Sequence, residues 1–407
     1  MNVDRLVRET LQEQAAEQPG PPGDLAGRVL AARRRRRTRA VTGAALATAA
    51  LVAAAVAVPA LDSSDPGRRD VRPAGRPDVV AHPDQAVPRD FVAAGRVGMA
   101  GYAAFRDMRQ RNGDEVLVRS YWLLNPRTQK YEKADDRWAW VAVAPGMRTA
   151  AVLEGELPAR RIGLLDLASG EVTRWITPAH PAAAVEWSPD GKRLVATTYS
   201  KNPDRLVKVP GTSPAPQQHF SRTGWVVVDA ASGDVGPFRE LPQTPGEKDG
   251  GYAGVARQDL HWSHDGSRLY VQQYEGPRGR NYRDWYTMAG DRTAAPEGER
   301  HAGWPRAGLS PDGKLLAADG TTEGSPILDP RTGKQIARVP SSEQLAWADS
   351  NRLIALSCGP GPCTGKNEQR TRLVLVTVGS DRTVPLTALR ERPKGYKGVW
   401  SPMLTTR

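Results

Sequence analysis

A short motif returns along the last two-thirds of the chain and limits the fold more than any other feature. It reads Trp187-Ser188-Pro189-Asp190-Gly191, then Trp262-Ser263-His264-Asp265-Gly266, then Leu309-Ser310-Pro311-Asp312-Gly313. Trp347-Ala348-Asp349-Ser350 and the terminal Trp400-Ser401-Pro402 are weaker copies. The first four are each followed by an alternating apolar run, such as Leu194-Val195-Ala196-Thr197 or Leu353-Ile354-Ala355. Strands repeating every 40 to 50 residues or so predict an all-β chain folded as a β-propeller. The motif itself predicts a turn. Pro presets φ at the first corner, Asp bonds back to the backbone, and Gly takes the left-handed position.

A second turn recurs with equal regularity. Leu164-Leu165-Asp166-Leu167-Ala168-Ser169-Gly170 is matched at Val227 to Gly233 and at Ile327 to Gly333, with a worn copy at Leu123 to Gln129. Each is an apolar strand running into a hairpin. Counting first turns gives six blades. The sixth begins with a turn at Trp400-Ser401-Pro402 and borrows its later strands, Glu115 to Arg119 and Tyr121 to Leu124, from the chain start. Pairing the two ends would leave no open sheet edge. The interval from Trp187 to Trp262 is too long for a plain blade. It predicts long loops at 201–221 and 243–256, unless it hides a seventh blade.

Ala40 to Leu61 carries no charged residue, and its 22 residues are enough to cross the roughly 30 Å hydrocarbon core of a bilayer. Arg33 to Arg37 and Arg39 precede it. The positive-inside rule then puts residues 1–39 in the cytoplasm and the rest outside. A cleaved signal peptide ending at Ala60 is the rival reading, opposed by an N-terminal region too long for a signal. In the tail, Val3, Leu6, Val7 and Leu11 recur at helical spacing, and Asp24 can cap a second short helix. Residues 62–89 are rich in Pro, Asp and Arg and predict a flexible stalk. The propeller is expected from 90 to 407.

The two cysteines fit export. Cys358 and Cys363 close a small loop between strand-like runs, and outside the cytoplasm they would oxidise to a disulfide. Two free thiols are the alternative. With no nearby His they do not complete a zinc shell.

The Trp-Ser-Pro-Asp-Gly-Lys-Arg-Leu run at residues 187–194 resembles TolB-type propeller repeats, distant relatives of WD repeats. The resemblance covers residues 90 to 405 and implies the fold. For function it implies protein interaction, peptide binding or substrate gating. The full layout is similar to membrane-anchored propeller proteins of Gram-positive actinobacteria.

Signatures of chemistry are missing. The chain has no Gly-x-Ser-x-Gly elbow, no His-Glu-x-x-His and no phosphate-binding Gly-rich loop. No catalytic residue, metal site or cofactor is assigned. His261 and His264 flank Trp262 and read as turn histidines. Asp190, Asp265 and Asp312 read as turn caps, not as a carboxylate ring. Much of the formal charge of +12 is local to the arginine run at 33–39, and no basic helix presents a face to nucleic acid.

Of eleven tryptophans, Trp187, Trp262, Trp347 and Trp400 recur with the repeat and predict inter-blade core. The best binding candidate is Arg278, Arg280, Tyr282, Arg283 and Trp285, a loop of residue types that dominate interface hot spots. The function expected from these readings is a non-enzymatic, membrane-anchored module that binds a protein or envelope ligand outside the cell. One alternative is a transmembrane regulator whose tail holds a cytosolic partner such as a sigma factor. The other is an enzyme with its site in the propeller channel.

Overall fold

The computed structural model describes residues 77–208, 215–216, 221–242, 257–274, 281–320, 324–359, 370–391 and 400–407. The tail at 1–39, the span at 40–61 and residues 62–76 of the stalk lie outside these. Among the described residues no helix is long and apolar enough to cross a membrane. Their regular structure is all strand.

The N-terminal part contributes β1 (Val79–Val80), β2 (Ala93–Ala94), β3 (Val97–Arg109), β4 (Glu115–Asn125) and β5 (Lys130–Lys133). Five antiparallel blades follow. Blade 1 is β6 (Trp138–Val143), β7 (Thr149–Glu154), β8 (Ile162–Asp166) and β9 (Val172–Ile176). Blade 2 opens with β10 (Ala182–Trp187) and β11 (Arg193–Tyr199). The chain then detours through β12 (Arg205–Val207) and β13 (Ala215–Pro216) before completing the blade with β14 (Arg222–Asp229) and β15 (Arg239–Glu240). Blade 3 is β16 (Leu260–Trp262), β17 (Leu269–Tyr274), β18 (Asn281–Tyr286) and β19 (Arg292–Thr293). Blade 4 has three strands, β20 (Leu316–Ala317), β21 (Ser325–Leu328) and β22 (Gln335–Val339). Blade 5 comprises β23 (Glu343–Trp347), β24 (Arg352–Ser357), β25 (Arg370–Thr377), β26 (Thr383–Pro385) and β27 (Arg390–Glu391).

The last strand, β28 (Trp400–Thr406), pairs along β3 from Trp400↔Ala104 to Thr406↔Val97. It thereby joins the two ends of the described chain in an eight-stranded sheet with β1 to β5, β12 and β13. The expectation of six or seven regular blades is therefore corrected. Five blades each come from one region of the chain, and the sheet that closes them is a composite. The terminal Trp-Ser-Pro is also not a turn, because no Asp-Gly follows to bend it. Pro402 sits inside β28 instead. The composite needs β3, which the repeat pattern missed because Val97–Arg109 carries neither motif. The packed unit also starts earlier than Asp90. β1 pairs with β2, and Arg352 holds Asp78 at 2.7 Å.

The repeated turns form as their residues dictate. Ser188 Oγ donates to Asp190 Oδ1 (2.5 Å) and accepts from the Arg193 amide (2.9 Å), while Asp190 Oδ1 also accepts from the Lys192 amide. Ser263 with Asp265, and Ser310 with Asp312, repeat this pattern. Gly191, Gly266 and Gly313 all take the left-handed φ (71°, 69° and 73°) that the turn requires. In the second turn, Asp166, Asp229 and Asp329 each cap two backbone amides. The Ser188 hydroxyl holds the Asp190 carboxyl below the ordinary carboxylate range.

The recurring tryptophans clasp one blade to the one before. Trp187 Nε1 donates to the Ala142 carbonyl, Trp262 Nε1 to Glu186 and Trp347 Nε1 to Gly308. A buried indole N–H needs an acceptor, and here the neighbouring blade's backbone supplies it. Trp140 returns the first of these bonds by donating to Val185. Trp400 packs edge-on against Tyr102.

Candidate functional site

In an antiparallel blade, the first-to-second and third-to-fourth connections lie at one end of the strands, and all others at the opposite end. The two repeated turns therefore share one face. They form a tight surface there: Arg193 Nη2 donates to the Gly266 carbonyl of the next blade's turn, and the Gly146 amide donates to Thr406. Asp190, Asp265 and Asp312 spend their carboxylates on their own turns. The long connections leave from the other face.

One of these connections builds the central feature of that face. After β11 the chain passes blade 1 and adds β12 to β4, pairing Arg205 with Val116 and Leu206 with Glu115. The segment is a strap from blade 2 to the composite sheet. Its root is a buried cluster of charge. Asp204 accepts both η nitrogens of Arg119 (2.6 and 2.9 Å) and also Nη2 and Nε of Arg257 (2.8 and 3.1 Å). Arg257 reaches Asp259 through Nη1 (3.0 Å), and Tyr199 donates to the same carboxylate (2.8 Å). Both guanidinium groups lie over the Trp140 ring, at 4.9 and 4.5 Å from its centroid. The cluster thus ties together the composite sheet and blades 1, 2 and 3. Burial alone would raise the Asp204 pKa, but Arg257 and Arg119 outweigh it and bring it down to about 2. Burial pushes the Tyr199 hydroxyl well above its ordinary value.

Beside the strap lies a cleft of about 570 Å³. Its walls are the β3–β4 hairpin tip with Arg111 and Asn112, the β7–β8 connection with Glu156, and the strap root with Lys201, Asn202 and Arg205. Asp114, itself buried, fixes this corner. It accepts Nε and Nη2 of Arg205, the Asn112 amide side chain and the Lys208 backbone amide.

The predicted binding residues are divided by the structure. Arg278 and Arg280 lie outside the described residues. Tyr282, Arg283 and Trp285 are not in a loop but in β18, where alternation sends neighbours to opposite faces. Tyr282 is exposed (38%). Arg283 is buried; it pairs with Glu299 (3.3 Å), donates to the Gly303 and Pro305 carbonyls, and lies 4.1 Å from the Tyr270 ring centroid. Trp285 is buried against the same tyrosine. These two fasten blade 3 to the chain leading into blade 4. The three segments Arg119, Lys201–Arg205 and Arg257–Asp259 escaped sequence reasoning because they lie up to 138 residues apart between Arg119 and Arg257 and share no motif. The overlong interval after Trp187 was the one local sign.

Among the described residues the histidines do not converge. His261 Nδ1 meets Glu186 at 2.6 Å, while His264 is shifted down by burial. No three metal-ligating side chains come together among the described residues. Cys358 is buried after β24 and is not a free thiol, but Cys363 lies outside the described residues. Of the tryptophans off the repeat, Trp138, Trp225 and Trp285 are buried, Trp122 stacks on Tyr102, and Trp304 is the exposed one at 48%.

No protein-family profile matches the chain, and no curated protein does. Solved structures similar to it include TolB from Acinetobacter baumannii, at 15% identity over 72% of this chain and 68% of that one, with a TM-score of 0.34. Hydrazine synthase of Kuenenia stuttgartiensis is 13% identical over 68% of this chain and 77% of that one, with a TM-score of 0.34. The acylaminoacyl peptidase of Pyrococcus horikoshii is 15% identical over 77% of this chain and 47% of that one, with a TM-score of 0.39. At such values these likenesses say nothing about what this chain does.

Proposed function

We propose that the chain is a membrane-anchored, extracytoplasmic propeller that binds a protein or envelope ligand, without chemistry of its own, on its long-loop face. One observation carries this reading. The two faces are built to opposite ends: the turn face spends its aspartates on its own tight turns, while the other bears the strap, the cleft and the long connections. Binding surfaces concentrate on loops held by a rigid scaffold. The converging charges at the strap root are consumed by one another, which favours a structural role for them over acid–base work. The anchor is assigned to residues 40–61.

Photo-crosslinking in intact cells tests the face. A crosslinking side chain at Arg160, on the long-loop face, should give discrete adducts, and one at Ser232, on the turn face, should give none. Adducts chiefly from Ser232 would end this reading. Placement outside the cytoplasm has its own measurement. Protein isolated without reductant should show no titratable thiol, because Cys358 and Cys363 would be bridged. Two reactive thiols would remove the bridge, and with it the support it lends to the exported location.

A further inference from the structure

We propose that the cleft beside the strap binds an acidic peptide segment of the protein partner. The inference rests on the binding-face reading above and names the chemistry of its ligand. Three cationic side chains, Arg111, Lys201 and Arg205, line the cleft against one acid, Glu156. Asp114 answers only Arg205. Among the described residues no carboxylate pairs with Arg111 or Lys201, and both are exposed. The cleft therefore presents unneutralised positive charge beside an arginine already fixed in direction. Clusters of this kind recognise acidic motifs, and steering by charge speeds the encounter.

The remaining lining selects a peptide over other anions. Gln110, whose Nε2 donates to the Met108 carbonyl, adds an amide oxygen that can accept a main-chain N–H, while Asn112 and Asn202 are held in place by bonds to Asp114 and Asp204. Val116 and Leu157 add a small apolar floor. No aromatic ring lines the cleft among its described residues, so a sugar finds no stacking platform. Among the described residues no helix N-terminus faces it to cradle a phosphate. A volume of about 570 Å³ lies within the roughly 300–1,000 Å³ of ligand pockets and suits a few extended residues. The walls come from three different parts of the ring, locked together by Asp204 and Asp114. The site is thus formed before the ligand arrives.

The test is fluorescence anisotropy with the full-length protein in detergent and a labelled hexaglutamate peptide. Wild type should bind, more weakly as salt rises. The Arg111→Gln/Lys201→Gln double variant should bind about tenfold more weakly, equivalent to about 1.4 kcal/mol. Arg127→Gln/Lys334→Gln removes two charges from the turn face and should bind as wild type does. Equal loss in both double variants would reduce the effect to net charge and overturn the site. Absence of wild-type binding would overturn it as well. So would displacement of the peptide by inorganic phosphate or oligogalacturonate at lower concentration than by unlabelled hexaglutamate. If the peptide fails while Arg160 still crosslinks a partner, this inference falls and the binding face stands; if both fail, the face falls too.

Discussion

Replacing Asp204 with alanine should destabilise the propeller by about 3–5 kcal/mol, the usual cost of breaking a buried ion pair from one side. The expectation follows from what is left behind. Arg119 and Arg257 both point at this carboxylate from buried positions, with side chains 8% and 17% exposed. Arg257 keeps Asp259, but Arg119 keeps only its contacts with aromatic rings. Asp204→Asn should be milder, since it retains oxygen and shape but not charge. Arg119→Met should cost less than either, because Asp204 still has Arg257. Thermal unfolding of the full chain gives the measurement, with a fall on the order of 5–10 °C expected for Asp204→Ala. If the three variants unfold together at the wild-type temperature, the cluster is not what locks the strap.

The pH dependence has a defined sign. The folded Asp204 pKa of about 2 lies below its ordinary value of 3.8. The unfolded chain therefore binds the proton first as pH falls. The stabilisation is fully present above pH 4 and is lost as pH drops through about 2; for this shift it amounts to roughly 2–3 kcal/mol. Wild type should show this acid limb, and Asp204→Ala should show a shallower one between pH 4 and 2.

The second large effect is expected at Trp347. Its ring is 5% exposed among Ile327, Val339, Leu353 and Val374, and so fills the space between blades 4 and 5. Trp347→Ala should cost about 3–5 kcal/mol, through lost burial and the cavity it leaves. Trp347→Phe keeps most of the volume and removes only the Nε1 bond to the Gly308 carbonyl. That carbonyl also accepts from the Ala317 amide, so it is not orphaned. The Phe variant should therefore lose only about 1 kcal/mol for the bond. Urea denaturation of both, beside Ile336→Ala at a 54% exposed position, separates packing from hydrogen bonding. A Trp347→Ala variant as stable as Ile336→Ala would show that the repeated tryptophan is not a blade clasp.

Much of the fold was legible because turns are local. Ser188, Asp190 and Gly191 satisfy one another within six residues, so the same letters give the same turn wherever they recur. Trp at the strand end was legible for a related reason: the repeat spacing sets each tryptophan against the preceding blade. The closing sheet was less legible. Pairing of β28 with β3 joins residues about 300 apart in sequence, and neither strand carries a complete motif. Residue type alone marks 278–285 as a binding candidate. Type does not tell which side of a strand a residue faces, and alternation along β18 buried Arg283 and Trp285 while exposing Tyr282.

By itself, the sequence determined the turns, the strand-ending tryptophans and hence the propeller, since each depends on residues within a few positions of one another. Only the tertiary structure decided that five blades are closed by a composite sheet. It alone showed that the overlong interval sends a strap past blade 1, and that Arg119, Asp204 and Arg257 meet beneath it. Pairing of the two chain ends was legible in the sequence, but charges so far apart are brought within 3 Å only by the path of the strap across the folded ring, which no local pattern encodes.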